Sequence, residues 1–254
     1  MTHTDAPLPL TGERTVPGLD VENYWFRRHE AVYLALAPAC REAVVLDAGV
    51  GEGYGADLLA RTARRVVGLE LDPAVARHVR NRYLRVSTVR ADLQALPMPD
   101  GGVDAVVTLQ VIEHLWDQPG FLAECARVLR PGGRLYCATP NRLTFSPGAG
   151  PDDRPLNPFH TRELTGPELA SLVADAGLEV EALHGLHHGP TLQALDARHG
   201  GSLIDAQIAL ALSGEPWPDA LAADVAAVTA ADFDLRTDDV DASLDLLVTA
   251  VRPT

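Results

Sequence analysis

Short apolar runs rich in valine and leucine recur through the first 140 residues, where they alternate with segments of helical pattern. Runs that are apolar throughout are typical of parallel strands buried on both faces. Strands that alternate with helices form an α/β sheet covered by helices on both sides. The pattern therefore predicts an alternating core from about residue 43 to residue 139. Its strands are expected at residues 44–47, 65–70, just before 89–93, 103–110 and 134–139.

The second half of the chain departs from this alternation. Thr165 and Glu168 have the spacing of a capping box, which predicts a helix through about residue 176. Strands are predicted at residues 178–183 and 245–251. The 184–243 segment between them exceeds a hairpin connection, and we predict helices there at residues 190–212 and 218–229. The acidic tract 232–241 lacks the spaced ligands and central glycine of a calcium loop, so we predict a solvated surface loop.

Aromatic residues in a helical pattern precede the first strand, among them Tyr24, Trp25 and Tyr33. We expect this segment to fold over a ligand as a lid, preceded by a partly ordered arm at residues 1–18. The predicted organisation has three parts: an N-terminal arm and lid helix (1–40), a ligand-binding α/β core (41–183 and 244–254), and a helical cap over the substrate side (184–243).

The first strand ends in Asp47, and Gly49, Gly51 and Gly53 follow it at alternate positions. Glycines allow a sharp turn and let a ligand lie against the main chain. The second strand ends in Glu70, whose carboxylate can accept hydrogen bonds from both hydroxyls of a ribose. A nicotinamide dinucleotide is the alternative ligand, but it usually requires Gly-x-Gly-x-x-Gly, and the carboxylates of Asp47 and Glu52 would repel its pyrophosphate.

With Asp92-Leu93 after the third strand and Gln110 after the fourth, this order resembles the class I methyltransferases that use S-adenosylmethionine. The resemblance implies a Rossmann-like, doubly wound, seven-stranded and mostly parallel sheet, with the last strand antiparallel beside the sixth. It also implies the roles of the cofactor-binding residues: Asp47, Gly49, Gly51 and Gly53 for the methionine and ribose, Glu70 and Leu71 for the ribose hydroxyls, Asp92 and Leu93 for the adenine, and Gln110 along the methionine.

Composition narrows the functional classes further. A net charge of −14 and a pI near 4.9 argue against a nucleic-acid substrate, because phosphate binding needs a basic face. The three cysteines show no ligand spacing and are interpreted as reduced thiols of a cytoplasmic protein. We also expect no signal peptide and no membrane span.

Methyl transfer to a hydroxyl requires removal of its proton, which a histidine or a metal ion can promote. His114, after the fourth strand, is the first candidate base, and His160 is the second; Glu113 completes the predicted catalytic set. Some methyltransferases of this class bind a divalent ion through Glu-x-x-Glu-His and a distant histidine. Glu113, His114 and His160 could form such a Mg²⁺ site, although Gln110 replaces the first glutamate and an amide is a weaker ligand. The preferred prediction is catalysis without a metal.

Arginines of the lid segment could bind the methionine carboxylate as a bidentate pair. Arg28 is the first choice and Arg14 the second, while the alternative is a surface helix with ordinary ion pairs. Large aromatic side chains near the crevice could stack on sugar rings, and we expect about two of five candidates to do so. The candidates are Trp25, Trp116, Phe145, Phe159 and Trp217.

Segments along nearly the whole chain, including residues 196–208 and 221–233 of the cap, resemble actinobacterial methyltransferases associated with methylglucose lipopolysaccharide biosynthesis. The resemblance implies an O-methyltransferase for a hydroxyl of an α-linked gluco-oligosaccharide or polysaccharide. A homodimer is a separate expectation. Two alternatives remain open. One is an O-methyltransferase of a methylmannose polysaccharide or a small secondary metabolite, and the other is a non-catalytic S-adenosylmethionine-binding protein.

Overall fold

The computed structural model describes residue 8 and residues 14–254, so most of the predicted N-terminal arm lies outside the described residues. One sheet organises the fold. Its strands are β1 (Val44–Ala48), β2 (Arg65–Glu70), β3 (Val86–Arg90), β4 (Val103–Leu109), β5 (Leu129–Pro140), β6 (Glu179–His188), β7 (Phe233–Arg236) and β8 (Asp245–Val251). The helices are α1 (Asn23–Leu36), α2 (Tyr54–Leu59), α3 (Pro73–Arg82), α4 (Gln118–Val128), α5 (Arg142–Phe145), α6 (Gly166–Asp175), α7 (Pro190–Arg198), α8 (Leu203–Ser213) and α9 (Asp219–Ala227).

The strand order is β3-β2-β1-β4-β5-β8-β6-β7. Strands β1 to β5 pair in parallel, and β8 lies antiparallel between β5 and β6. Buried apolar residues form one cluster on each face of the sheet, which is why the central strands carry apolar residues throughout. The prediction of a doubly wound, mostly parallel α/β sheet is confirmed, including the antiparallel last strand beside the sixth.

The sheet has eight strands where seven were predicted. The additional strand β7 pairs antiparallel with the end of β6, within the tract predicted to be a surface loop. Phe233 is buried and Leu235 packs against the core, whereas Asp234 between them is exposed. Burial at every second residue is the pattern of an edge strand with one buried face. The acidic residues around it make this pattern hard to recognise in the sequence.

The long helix predicted at residues 190–212 is two helices. Gly200 and Gly201 adopt φ values of +83° and +105°, which a right-handed helix excludes, and they separate α7 from α8. Ser202 then caps α8, since its hydroxyl accepts a hydrogen bond from the amide of Asp205 at 3.0 Å. The predicted capping box at Thr165 and Glu168 is present at the start of α6.

Helix α1 is fixed by polar contacts to the far end of the chain. Arg28 forms a buried ion pair with Asp245 at the start of β8. The hydroxyl of Tyr24 lies 2.6 Å from Nε2 of His188, and Nδ1 of the same ring lies 2.6 Å from Asp196. The predicted lid is therefore held in place by residues of β6, α7 and β8, which sets its position over the carboxyl edge of the sheet.

Among the described residues, none of the helices has both the length and the apolar composition that crossing a membrane would require.

Candidate functional site

A cavity of about 400 Å³ lies at the carboxyl edge of the parallel strands, where open α/β sheets bind their ligands. Most of the predicted cofactor residues and the first predicted base line it: Gly49, Gly51, Glu70, Leu71, Asp92, Leu93, Gln110 and His114. Its other walls come from the loop after β1, from α1 and from the segment before it. The structure thus brings together residues that the sequence placed at the ends of four different strands.

The turn after β1 explains why glycine occupies these positions. Gly49 and Gly51 have φ values of +89° and +53°. A Cβ atom on Gly49 would lie 2.4 Å from Cγ2 of Val111, whereas one on Gly51 would meet no protein atom within 4 Å. Gly51 therefore borders open cavity, where a ligand can approach the backbone closely.

Gly53 was predicted to bind the cofactor with the other two glycines, but it does not line the cavity. It precedes α2 with a φ of +105°, and a Cβ there would lie 2.6 Å from Cδ2 of Tyr83. Its role in this structure is to let α2 pack closely against Tyr83. We infer that it shapes the turn rather than contacting the cofactor.

Asp47 is buried behind the cavity, and the hydroxyl of Tyr33 donates to its carboxylate at 3.2 Å. Burial raises the pKa of Asp47 to about 7, and the hydrogen bond from Tyr33 opposes that rise while the charge of Glu70 adds to it. Tyr33 lines the cavity, whereas Asp47 does not. A cationic group near Tyr33 would therefore favour the ionised form of Asp47.

Glu70 is oriented by its own backbone, since Oε1 accepts from the amides of Leu71 and Asp72 at 2.9 and 3.1 Å. Oε2 accepts no hydrogen bond from the described residues, so it remains available to a hydroxyl group of a ligand in the cavity. Glu52, also in the cavity wall, accepts from Nε2 of His78 at 2.7 Å. Of the two carboxylates that the sequence analysis set against a pyrophosphate, Glu52 lines the cavity and Asp47 lies behind it.

The three predicted catalytic residues converge on one side of the cavity. One ligand atom from each of Glu113, His114 and His160 lies within 4.8 Å of the other two, and the two imidazole centroids are 5.0 Å apart. Only His114 of the three lines the cavity. Its Nδ1 lies 3.1 Å from the carbonyl oxygen of Phe159, so Nδ1 carries the proton and Nε2 carries the lone pair in the neutral ring.

His160 and Glu113 form the layer behind His114. Nδ1 of His160 bonds to Glu163 at 2.6 Å, and the amide of Asn157 lies 3.0 Å from Nε2. Glu113 accepts from the hydroxyl of Thr139 at 3.0 Å. Burial raises the pKa of Glu113 to about 7, while the nearby His160 opposes the rise. This layer is well placed to support His114 or to share a cation with it.

The prediction that Arg28 binds the methionine carboxylate is wrong for this structure. Its Nε donates to Asp245 at 2.7 Å, its guanidinium stacks 4.6 Å from the ring centroid of Phe145, and it does not line the cavity. The carboxylate of Asp245 takes one edge of the guanidinium, and burial beside the rings of Trp25 and Phe145 keeps the group away from the cavity. Arg14, the second choice, does line the cavity.

The five aromatic candidates occupy different environments. Phe159 lines the cavity and is 57% exposed, and Trp116, two residues after His114, is 87% exposed. Trp25 and Phe145 lie against Arg28, and Trp217 packs on the core. Phe159 and Trp116 are thus the two that an incoming acceptor could contact.

Sequence reasoning missed His29, which lines the cavity from α1 together with Tyr33. Burial lowers the pKa of His29 to about 4, and Arg28 contributes in the same direction, so the ring is neutral at physiological pH. The available signal was the spacing, because residues 29 and 33 share one face of a helix. None of the cavity-lining residues belongs to the predicted cap (184–243), and of its three helices α9 packs against α1.

Comparisons with known proteins agree with this geometry. A family model described as a methyltransferase domain matches residues 46–137. A probable S-adenosylmethionine-dependent methyltransferase of Mycobacterium tuberculosis is 59% identical over 99% of this chain and 92% of its own length. A ubiquinone biosynthesis O-methyltransferase of Xanthomonas axonopodis pv. citri is 32% identical over 64% of this chain and 73% of its own.

The solved structure of an S-adenosylmethionine-dependent methyltransferase from Mesorhizobium loti shares the fold, with a TM-score of 0.58. It is 18% identical, and the match covers 89% of this chain and 98% of that one. On the sequence match to the mycobacterial relative and on this fold, the chain belongs to the class I S-adenosylmethionine-dependent methyltransferases.

Proposed function

We propose that this enzyme transfers the methyl group of S-adenosylmethionine to a hydroxyl of a saccharide, with α-linked gluco-oligosaccharides as the first expected acceptor. The observation that carries the proposal is His114. His114 lines the cofactor cavity, and its Nδ1 donates a hydrogen bond to the carbonyl oxygen of Phe159. In the neutral ring the lone pair is therefore on Nε2. A hydroxyl acceptor requires such a base, whereas a neutral amine does not.

The cavity residues fit the cofactor that the family uses. The open space at Gly51 admits a ligand against the backbone, and Glu70 presents an oriented carboxylate to a ribose. Arg14 offers a guanidinium for the methionine carboxylate, and the Tyr33–Asp47 pair offers negative charge to the ammonium. S-adenosylmethionine supplies an activated methyl group on a sulfonium.

The residues of this chain then align the acceptor and remove its proton. With S-adenosylmethionine bound, the acceptor oxygen would form a bond to the methyl carbon as the carbon–sulfur bond breaks. Nε2 of His114 takes the hydroxyl proton, and Glu113 and His160 behind it can stabilise the imidazolium. S-adenosylhomocysteine and the methyl ether are the products.

Two features support a saccharide as the acceptor. Phe159 lines the cavity with His114, and Trp116, two residues further along the chain, is exposed, so both rings offer an apolar surface on which sugars can stack. The resemblance to the methyltransferases of methylglucose lipopolysaccharide biosynthesis extends through the cap. Manno-oligosaccharides and small metabolites are the nearer alternatives, and a binder without activity is the more distant one.

A metal-assisted mechanism is the second candidate, favoured by the mutual reach of Glu113, His114 and His160. Two imidazoles and a carboxylate are suitable ligands for a divalent ion, which would acidify the hydroxyl in place of a base. Gln110 lines the cavity where related sites place a glutamate, and its amide would leave such a site with one carboxylate. Exhaustive chelation separates the two mechanisms, because base catalysis by His114 survives it and metal assistance does not.

The test measures transfer from labelled S-adenosylmethionine to α-1,4-gluco-oligosaccharides, manno-oligosaccharides and blanks, with the product mapped by NMR. We expect a methyl ether on the glucan and a loss of about 10²–10⁴-fold in turnover for His114→Ala with cofactor affinity unchanged. Trp116→Ala should raise KM for the sugar only, and Leu212→Ala, at an exposed position of α8, is the matched control. Transfer to mannan alone, or to no sugar despite cofactor binding, would refute the glucan assignment.

We also propose an intracellular setting and a homodimer. The three cysteines are buried and unpaired, which supports a reducing compartment. Sedimentation equilibrium of the full chain tests the dimer directly, because a mass equal to one chain at all concentrations excludes it.

A further inference from the structure

Positive charge is concentrated at one edge of the sheet. The chain has no lysine, so all 21 basic residues are arginines, and eight of them lie between residues 61 and 90 against two acids. All eight are exposed. Four of the eight pair with carboxylates from outside the segment, since Arg61 and Arg85 contact Asp57, Arg64 contacts Asp104 and Arg82 contacts Glu52. Arg77 and Arg80 have no such partner among the described residues, so uncompensated positive charge remains on the face formed by α3 and β3.

Part of this face is a groove between α3 and the edge strand β3. Pro73, Ala76, Arg77 and Arg80 follow the spacing of one helix face, and they oppose Thr88 and Arg90, which share one side of β3. These six residues enclose a cavity of about 210 Å³. It shares no lining residue with the cofactor cavity.

The polar groups of this groove have few partners. Within the described residues, neither Arg77 nor Arg80 forms a hydrogen bond or ion pair through its side chain, and no carboxylate lines the groove. Arg90 donates through Nε to the carbonyl of Leu71 at 3.0 Å, which fixes its guanidinium at the groove. The hydroxyl of Thr88 is buried without a partner. Three like charges that share a cavity repel one another, and an anion between them would remove that repulsion.

We propose that this groove is an oxyanion site that binds a phosphate group, either as free phosphate or as the ester of a small molecule. Guanidinium forks match phosphate oxygens in bidentate geometry, and the Thr88 hydroxyl can donate to a further oxygen. The cavity is smaller than the roughly 300–1,000 Å³ of typical small-molecule sites, which suits a compact anion rather than a whole nucleotide. The site is separate from methyl transfer and does not depend on the acceptor proposed above.

Isothermal titration calorimetry at low ionic strength tests the site on the full chain saturated with S-adenosylhomocysteine. The probes are inorganic phosphate, pyrophosphate and glycerol 3-phosphate, which separate a free anion from an ester. We expect Arg77→Ala/Arg80→Ala to weaken pyrophosphate binding by roughly tenfold or more, since charge-assisted hydrogen bonds are lost. The matched control is Arg41→Ala/Arg65→Ala, which removes two exposed arginines outside the groove and should change affinity less than twofold.

Thr88→Val provides a second test that leaves every charge in place. It should weaken binding severalfold, because the buried hydroxyl loses its role as a donor. Absence of heat with all three anions overturns the proposal. An equal loss of affinity in the two double variants also overturns it, because that result would show general electrostatic attraction. Unchanged binding in Thr88→Val overturns it as well. Binding of glycerol 3-phosphate as tightly as of phosphate assigns the site to esters, and its failure assigns the site to the free anion.

Discussion

Cofactor affinity should rise with pH through the titration of Asp47. The carboxyl is buried at the end of β1, and burial raises its pKa to about 7. Only the ionised form attracts the methionine ammonium, so the protonated enzyme binds more weakly. Below the folded pKa, each unit of pH therefore changes affinity by up to about tenfold, and above it the dependence disappears.

The magnitude follows from the ionised fraction of this group. With a pKa near 7, Asp47 is ionised in about one molecule in eleven at pH 6 and in about three of four at pH 7.5. The association constant for S-adenosylhomocysteine should therefore increase about eightfold over this interval. Calorimetric titrations at fixed ionic strength measure it directly, and the inactive product avoids turnover.

Two variants isolate the contribution of Asp47. Asp47→Asn should flatten the curve, and any slope that remains in it belongs to the ligand and to other groups. Tyr33→Phe removes the hydrogen bond that lowers the pKa of Asp47, so the midpoint should move to higher pH. The same slope in the wild type and in Asp47→Asn, or an unmoved midpoint in Tyr33→Phe, would refute the reasoning.

Three further predictions concern the turn, the lid and the layer behind the base. Gly49→Ala should lower the free energy of unfolding by about 2 kcal/mol and abolish cofactor binding, because residue 49 has a positive φ and an added Cβ would clash with Val111. Urea unfolding measures the stability and calorimetry measures the binding. Unchanged cofactor binding would contradict the prediction. Arg28→Met should lower the free energy of unfolding, measured with urea, by about 3–5 kcal/mol, because it leaves the buried carboxylate of Asp245 unpaired. The double variant Arg28→Met/Asp245→Leu should lose clearly less stability, because it leaves no unpaired buried charge. An equal loss in the two variants would contradict this reasoning. Because the pKa of Glu113 is raised in the folded protein, its contribution to stability is complete below pH 4.5 and is lost as the pH rises through about 7. Glu113→Gln should therefore remove about 3 kcal/mol of the change in unfolding free energy between pH 4.5 and 8.5. Parallel plots of unfolding free energy against pH for the two proteins would show that this carboxyl is not the source.

The sheet and the cofactor turn were predictable because local sequence determines them. Buried parallel strands must be apolar, and a turn with φ values of +89° and +53° requires glycine, so Gly49 and Gly51 mark their own position. Strand ends then placed Glu70 and His114 at one edge of the sheet without any knowledge of packing.

The errors share a different origin. Arg28 has the chemistry of a carboxylate ligand, but its partner Asp245 is 217 residues away and local sequence cannot reveal the pair. Strand β7 exists because Phe233 finds space in the core beside β6, which depends on tertiary packing. The spacing of His29 and Tyr33 puts both on one face of α1, but only tertiary packing places that face at the cavity.

The anchoring of α1 also has a consequence for synthesis on the ribosome. Helix α1 emerges well before β8, so its buried guanidinium has to wait for Asp245, which is translated 217 residues later. Until then α1 cannot be fixed over the cofactor cavity, and its exposed apolar face offers a binding surface for chaperones. Catalytic competence should therefore appear only after β8 has emerged, and deletion of β8 should abolish it even though the predicted cofactor residues all lie far upstream.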